Sequence, residues 1–167
     1  MNIKSICVIL CFAFLMLTCD HGIEPPHAEK SKTGLSGTVY FSNWGSAGHT
    51  ERLKIVFFTD FPPRNIIDEV NKGRAKYYPV NLVASLPLGN ESTNYEMILN
   101  AGEYKYISVA QQYGTNVYND WRSVGQYNEM PGDSLPSPVT VLQDSVIQHI
   151  DIFVDFANLP PQYYGTP

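Results

Sequence analysis

Three side chains near the C-terminus have the residue types and spacing best suited to chemistry. His149, Asp151 and Asp155 alternate along the predicted final strand, so they would share one of its faces. A histidine beside a carboxylate can hold a metal ion or move a proton, as in a metal-assisted hydrolase using His149 and Asp151. The same alternation is typical of a strand face turned to solvent, and no third ligand stands at a diagnostic spacing. We therefore keep hydrolysis as the alternative function and predict no enzyme, no metal and no cofactor.

Other chemical signals in the chain are weak or missing. Glu129, Asp133 and Asp144 offer oxygen ligands to calcium, but their spacing matches no calcium loop. The sequence has no Gly-rich phosphate loop, nucleophile elbow or zinc-protease helix. All three cysteines lie in the first nineteen residues, which leaves the rest of the chain without a disulfide or a thiolate. The net charge is −5 and no basic cluster occurs, so we do not expect nucleic acid as a partner.

Aromatic rings in the connections are a second group of candidates. Aromatic residues make up 13% of the chain, and six rings lie in or beside predicted loops: Trp44, Tyr77, Tyr78, Tyr113, Tyr118 and Trp121. A β-sandwich that gathers its loops at one end would display such rings as a stacking platform for sugar rings or an apolar peptide. The same rings can instead pack over the ends of the sandwich as part of the core. We favour this second interpretation, but keep the six rings as the candidate ligand-binding residues.

The first nineteen residues predict where the protein goes. Lys4 precedes an uncharged apolar run over residues 6–17, which is short for a membrane span and is followed by polar chain. The run ends in Leu15-Met16-Leu17-Thr18-Cys19, which resembles the signal of bacterial lipoproteins. The resemblance implies a signal peptide over residues 1–18 and a lipid anchor on Cys19, in the cell envelope outside the cytoplasm. The alternatives are an uncleaved anchor or an ordinary signal peptide cut nearby, and the sequence leaves the membrane and leaflet open.

Length and strand pattern predict one all-β domain behind a tether. Residues 19–33 are polar and contain prolines, which is typical of a flexible tether. Residues 34–161 contain seven or eight short runs of alternating apolar residues separated by turn signals, and residues 162–167 form a tail. The 167 residues suit one domain, and no long helix is convincing. We therefore predict a single antiparallel β-sandwich of seven or eight strands, of the immunoglobulin-like kind.

Two hairpins are predicted within this domain. Residues 94–111 alternate on both sides of the Asn100-Ala101-Gly102 turn, which is a hairpin signal. Residues 139–142 and 146–156 would form the last hairpin, and the longer of these runs is the clearest strand pattern in the chain. Further strands are predicted over residues 34–42, 52–60, 80–86 and 121–127, with a helical turn around Ile66, Ile67 and Val70. We expect strand 52–60 to be central, because both of its faces are apolar.

Three short runs resemble a known domain family. They are Gly37-Thr38-Val39-Tyr40-Phe41, Ala101-Gly102-Glu103-Tyr104-Lys105-Tyr106 and the closing run over residues 155–161. Together they are similar to the carboxypeptidase-regulatory-like, or transthyretin-like, sandwich domains of secreted bacterial proteins. The resemblance implies a non-catalytic accessory role and brings no catalytic residues. We therefore expect a membrane-anchored binding or structural module; the sequence leaves its ligand open, with a glycan or an envelope protein as the candidates.

Overall fold

The computed structural model describes residues 31–130 and 132–164, and most of that chain is β-strand or loop. The predicted signal peptide, Cys19 and most of the predicted tether lie outside the described residues. Within the described ranges, no helix has the length and apolar character needed to cross a membrane.

Ten strands, one short α-helix and one 3-10 turn make up the regular structure of the described residues. Along the chain they are β1 (Gly34–Ser42), the 3-10 turn (Trp44–Ser46), β2 (Arg52–Phe58), α1 (Ile66–Asn71), β3 (Ala75–Tyr78), β4 (Ser92–Ile98), β5 (Gly102–Tyr104), β6 (Tyr106–Gln112), β7 (Trp121–Gln126), β8 (Val139–Val141), β9 (Val146–Ile147) and β10 (Ile152–Asp155). The all-β class is therefore confirmed, as is the short helix predicted around Ile66.

One curled, mixed sheet carries most of the fold, in place of the predicted antiparallel sandwich. Its strand order is β3-β2-β6-β7-β10-β1-β4, with β9 beside β1, while β5 and β8 form a separate two-stranded sheet. β1 runs parallel to β9 and β10, and the other pairs are antiparallel. The sheet curls into a half-barrel. Its two end strands meet across the concave side, since the ring of Tyr95 on β4 lies 6.2 Å from that of Tyr78 on β3.

The strands of the two predicted hairpins form, but with other partners. β4 pairs with β1, β5 pairs with β8, and β6 lies between β2 and β7. The run over residues 146–156 is split into β9 and β10 by a turn in which His149 adopts a left-handed φ of 62°. Alternation of apolar residues decides which side of a strand is buried, but it does not select the neighbouring strand. The hairpin predictions were wrong for this reason.

The predicted strand over residues 80–86 is instead a loop beside β2. β3 ends at Tyr78, and Val80, Leu82 and Val83 are all exposed. Two hydrogen bonds hold the end of the loop to β2: the Leu53 amide donates to the Ser85 hydroxyl, and the Leu86 amide donates to the Leu53 carbonyl. The loop, residues 79–86, is called the β2-flanking loop below.

Apolar residues are buried on both faces of β2. Leu53, Ile55 and Phe57 belong to the main core on the concave side of the sheet. Val56 and Phe58 belong to a second cluster on the convex side, which α1 and the end of the chain cover. We call this second group the outer cluster; its buried members are Val56, Phe58, Ile66, Ala75, Tyr106, Ala110, Trp121 and Tyr164. The prediction that β2 is a central strand covered on both faces is confirmed.

Candidate functional site

A groove of about 380 Å³ lies on the convex face of β2, next to the outer cluster. We call it the outer groove; its lining residues are Arg52, Lys54, Val56, Ile66, Ile67, Val70, Asn71, Tyr77, Leu82, Val83, Val117 and Trp121. Eight of these twelve side chains are aliphatic or, for Trp121, indole. A concave site of this volume with mostly apolar walls and a few polar groups has the character of a small-molecule site.

Strand alternation brings Arg52, Lys54 and Val56 to the groove. Because Leu53 and Ile55 are buried in the main core, the side chains between them must lie on the other face of the sheet. β2 pairs with β6 over Arg52–Phe58 and with β3 over Ile55–Phe58. Val56 therefore lies between two strands, whereas Arg52 and Lys54 lie between β6 and the end of the β2-flanking loop, which is hydrogen-bonded to Leu53.

Helix α1 brings Ile66, Ile67 and Val70 to the groove. Its N-cap residue, Asn65, accepts hydrogen bonds from the amides of Ile67 and Asp68, and its side-chain amide donates to the Tyr118 carbonyl at 2.8 Å. The two accepted bonds therefore cap the helix, and the donated bond ties it to the loop over residues 113–120.

An ion pair holds the C-terminal half of α1 to the chain that enters β3. Glu69 is buried and accepts two hydrogen bonds from the Arg74 guanidinium, at 2.7 and 2.8 Å. This bidentate bond lowers the pKa of Glu69 below its ordinary value, so the side chain is a carboxylate at neutral pH. Glu69 is thus paired with Arg74, and neither of these two side chains lines the groove.

The β2-flanking loop forms an exposed apolar rim. Leu82 is 71% exposed and Val83 is 74% exposed, although both line the outer groove. Lys54 holds the start of the loop, because its Nζ donates to the carbonyls of Pro79 and Asn81 at 2.8 and 2.6 Å. The loop that carries the rim is therefore held in place by Lys54, whose side chain also lines the groove.

Lys54 is an unusual residue for a position buried to this degree, with only 4% of its surface exposed. Burial, and to a smaller extent the charge of Arg52, lowers the pKa of Lys54 to about 8. Within the described residues, the ion pairs involve Lys32, His49 and Arg74, and neither Lys54 nor Arg52 contacts a carboxylate. The groove thus carries two cationic side chains without an acidic partner in that part of the chain.

Two of the six candidate rings line the outer groove. Tyr77 lies on β3 with its ring centroid 5.2 Å from Lys54 Nζ, and Trp121 begins β7. The Trp121 indole is 7% exposed and donates to the Val117 carbonyl at 2.8 Å. Tyr118, in the same loop as Val117, is 65% exposed.

Besides Tyr118, the remaining three candidate rings do not line the groove either. Trp44 and Tyr78 pack against the main core, and the Trp44 ring is 4.6 Å from that of Phe156. The Arg122 guanidinium lies over the ring of Tyr113, and its central carbon is 5.8 Å from the centroid of that ring. The two indoles therefore belong to clusters on opposite faces of the sheet, and the six rings do not form a single surface.

The three residues of the alternative hydrolase, His149, Asp151 and Asp155, lie in different local environments. His149 is exposed in the turn before β10, whereas Asp151 accepts a hydrogen bond from the Thr38 amide at 2.8 Å. Asp155 accepts from the side chains of Asn43 and Asn158, and these bonds lower its pKa. In the described ranges, no group of three or more His, Cys, Asp or Glu side chains is arranged to hold a metal ion.

Sequence reasoning missed the cationic part of the groove. The signal was present in the strand RLKIVFF, where Lys54 shares a face with Val56 and Phe58. A lysine on an otherwise apolar face of a central strand must be buried with a partner or beside a cavity. The apolar side chains of α1 and the β2-flanking loop gave no comparable signal, because their convergence depends on tertiary structure.

Comparisons with known proteins leave the function to be argued from this site. No protein-family model, curated protein or solved structure matches the chain. The lipoprotein signal and the resemblance to carboxypeptidase-regulatory-like domains remain predictions from the sequence.

Proposed function

We propose that this protein is a membrane-anchored, non-catalytic binding module of the cell envelope, and that its outer groove holds a small apolar ligand. The observation that carries the proposal is the exposed apolar rim, Leu82 and Val83, beside a groove of about 380 Å³. Apolar side chains exposed together at a concave site mark a surface that a ligand covers. The resemblance to accessory sandwich domains of secreted bacterial proteins supports the non-catalytic role.

The lining of the groove favours an apolar ligand over a glycan. A sugar ring needs several hydrogen-bonding groups around its hydroxyls, because a buried hydroxyl without a partner is costly. Among the described residues that line the groove, Asn71 and Tyr77 are the uncharged polar side chains, and no serine, histidine or carboxylate occurs. The same composition gives the groove no paired nucleophile and base, which supports binding as its function.

Removing the apolar rim is expected to weaken ligand binding. In the double variant Leu82→Ser with Val83→Ser, the affinity for a neutral naphthylamine fluorophore should fall about tenfold, because the ligand loses two apolar contacts worth roughly 1–2 kcal/mol in total. The measurement is fluorescence titration of the purified protein.

A second double variant provides a matched control. Val80→Ser with Leu88→Ser removes one valine and one leucine that are 67% and 46% exposed but do not line the groove. This control should bind the fluorophore as the unmodified protein does. Equal binding by both double variants would show that the rim does not contact the ligand.

The predicted lipid anchor is tested separately. Cys19→Ser removes the thiol to which lipid would be attached, so the protein should move from the membrane fraction to the soluble fraction of the cell. Mass spectrometry of the unmodified N-terminal peptide should show diacylglyceryl on residue 19. Membrane fractionation that does not change in the variant, with no lipid on that peptide, would contradict the anchoring proposal and leave the groove proposal standing.

A further inference from the structure

We infer that the ligand of the outer groove is a fatty-acid-like anion, whose carboxylate is received by Lys54 and Arg52 and whose hydrocarbon chain lies along the apolar walls. This inference rests on the proposed function and adds the chemical class of the ligand.

The charge of the groove is opposite to that of the chain as a whole. The protein has a formal net charge of −5, yet the charged side chains that line the groove are Arg52 and Lys54. Neither makes an ion pair within the described ranges. A buried cation without a counter-charge is costly, and an anionic ligand would provide that counter-charge.

Both cations retain hydrogen-bond donors for a ligand. An ammonium has three donors, and Lys54 Nζ uses two of them on the carbonyls of Pro79 and Asn81. A guanidinium has five, and Arg52 donates through Nη1 to the Gln112 side-chain oxygen at 2.8 Å. A carboxylate accepts several such bonds at once, which matches the donors that remain.

The rest of the lining selects a hydrocarbon chain over a peptide. The walls beyond the two cations are mainly Val, Ile and Leu side chains of β2, α1 and the β2-flanking loop. A peptide with a free C-terminus shares the carboxylate, but its amide groups would be buried among these side chains without partners. An acyl chain has no such groups, so one anionic end and an apolar remainder fit the site.

Lys54 makes carboxylate binding dependent on pH. Its pKa of about 8 means that it is mostly protonated at pH 7 and loses its charge as the pH rises through 8. The other titratable groups that line the groove are Arg52 and Tyr77. Helix α1, the β2-flanking loop and the loop over residues 113–120 contribute no titratable group to the lining. The acid Glu69 on α1 is paired with Arg74. Carboxylate affinity should therefore fall between pH 7 and pH 9, whereas the affinity for a neutral ligand should not.

The test compares dodecanoate with dodecanol, each below its aggregation limit, as competitors of the naphthylamine fluorophore on the purified protein. At pH 7, dodecanoate should bind at least tenfold more tightly than dodecanol. Lys54→Met keeps the length of the side chain but not its charge, and should abolish this preference while binding of dodecanol persists. Because Lys54 also holds the β2-flanking loop, Arg52→Gln provides a second variant, in which the preference should fall at least threefold.

A matched control and four outcomes decide the inference. Lys76→Met removes one positive charge from the neighbouring strand β3 at an exposed position outside the groove, and should keep the preference. Equal binding of the two ligands by the unmodified protein, or an equal loss of preference in Lys76→Met and Lys54→Met, would overturn the carboxylate assignment. Tighter binding of a leucine tripeptide with a free C-terminus would replace the acyl chain with a peptide. Failure of all of these competitors and of the fluorophore to bind would contradict the proposed function itself.

Discussion

The Gly37→Ala variant is expected to lose about 3 kcal/mol of its free energy of unfolding, at the upper end of what overpacking usually costs. A Cβ at position 37 would overlap the carbonyl oxygen of Ile150 and lie 2.5 Å from its carbonyl carbon. Both atoms belong to the backbone, so rotation of a side chain cannot relieve the overlap. β1 joins β4, β9 and β10 in the main sheet, and its displacement would disturb all three pairings.

Urea denaturation of the purified variant measures this loss, with Gly45→Ala as the control. Gly45 lies in the exposed 3-10 turn, and a Cβ there would meet nothing within 4 Å. The control should stay within about 0.5 kcal/mol of the unmodified protein. If the two variants are equally stable, the close approach of β1 to the turn before β10 is not present in solution.

The Tyr164→Ala variant is expected to be destabilised by about 3–5 kcal/mol, as for other large aromatic side chains removed from a core. Tyr164 is only 2% exposed, although it lies near the end of the chain. Its ring packs against Phe58 and Tyr106 at 5.7 and 6.2 Å, and its hydroxyl lies 2.9 Å from the Ser108 hydroxyl. Without this ring, the outer cluster would be open to water.

Two further substitutions separate packing from other effects. Tyr164→Phe keeps the ring and removes the hydroxyl, and should cost about 1 kcal/mol because Ser108 retains other partners. Tyr118→Ala removes the same side chain from a 65% exposed position and should change stability by less than about 0.5 kcal/mol. Thermal unfolding followed by near-ultraviolet circular dichroism would rank the three. Equal stability of Tyr164→Ala and Tyr118→Ala would show that the end of the chain does not cover the outer cluster.

Strand positions were largely predictable from the sequence, but strand partners were not. The first strand was predicted over residues 34–42 and is observed at Gly34–Ser42, and the strand predicted over residues 121–127 is observed at Trp121–Gln126. Each depends on local alternation and turn residues, which the sequence shows directly. The parallel pairing of β1 with β10 joins residues more than one hundred positions apart, and no local pattern specifies it.

The candidate site was less predictable than the strands, because its parts come from four separate segments. Tyr77 and Trp121 were selected as aromatic side chains near loops, and both line the groove, whereas Trp44 was selected on the same grounds and packs against the main core. The local sequence is similar around all three rings, so tertiary packing decides whether a ring lines the groove or joins the main core. The apolar run over residues 80–86 was interpreted as a strand, although its exposed side chains instead form the rim of the groove.

The most direct measurement of the central claim is the location of a bound ligand. A dodecanoate carrying a photoreactive diazirine in its chain would be irradiated with the purified protein, and the labelled peptides identified by mass spectrometry. Because α1, β3 and the β2-flanking loop surround the groove, labels should concentrate between residues 66 and 83, and excess dodecanoate should suppress them. The exposed rings of Tyr40 and Phe153, stacked at 5.1 Å on another part of the sheet, provide an internal comparison. Labels concentrated at that pair, with residues 66–83 unlabelled, would contradict the assignment of the outer groove as the ligand site.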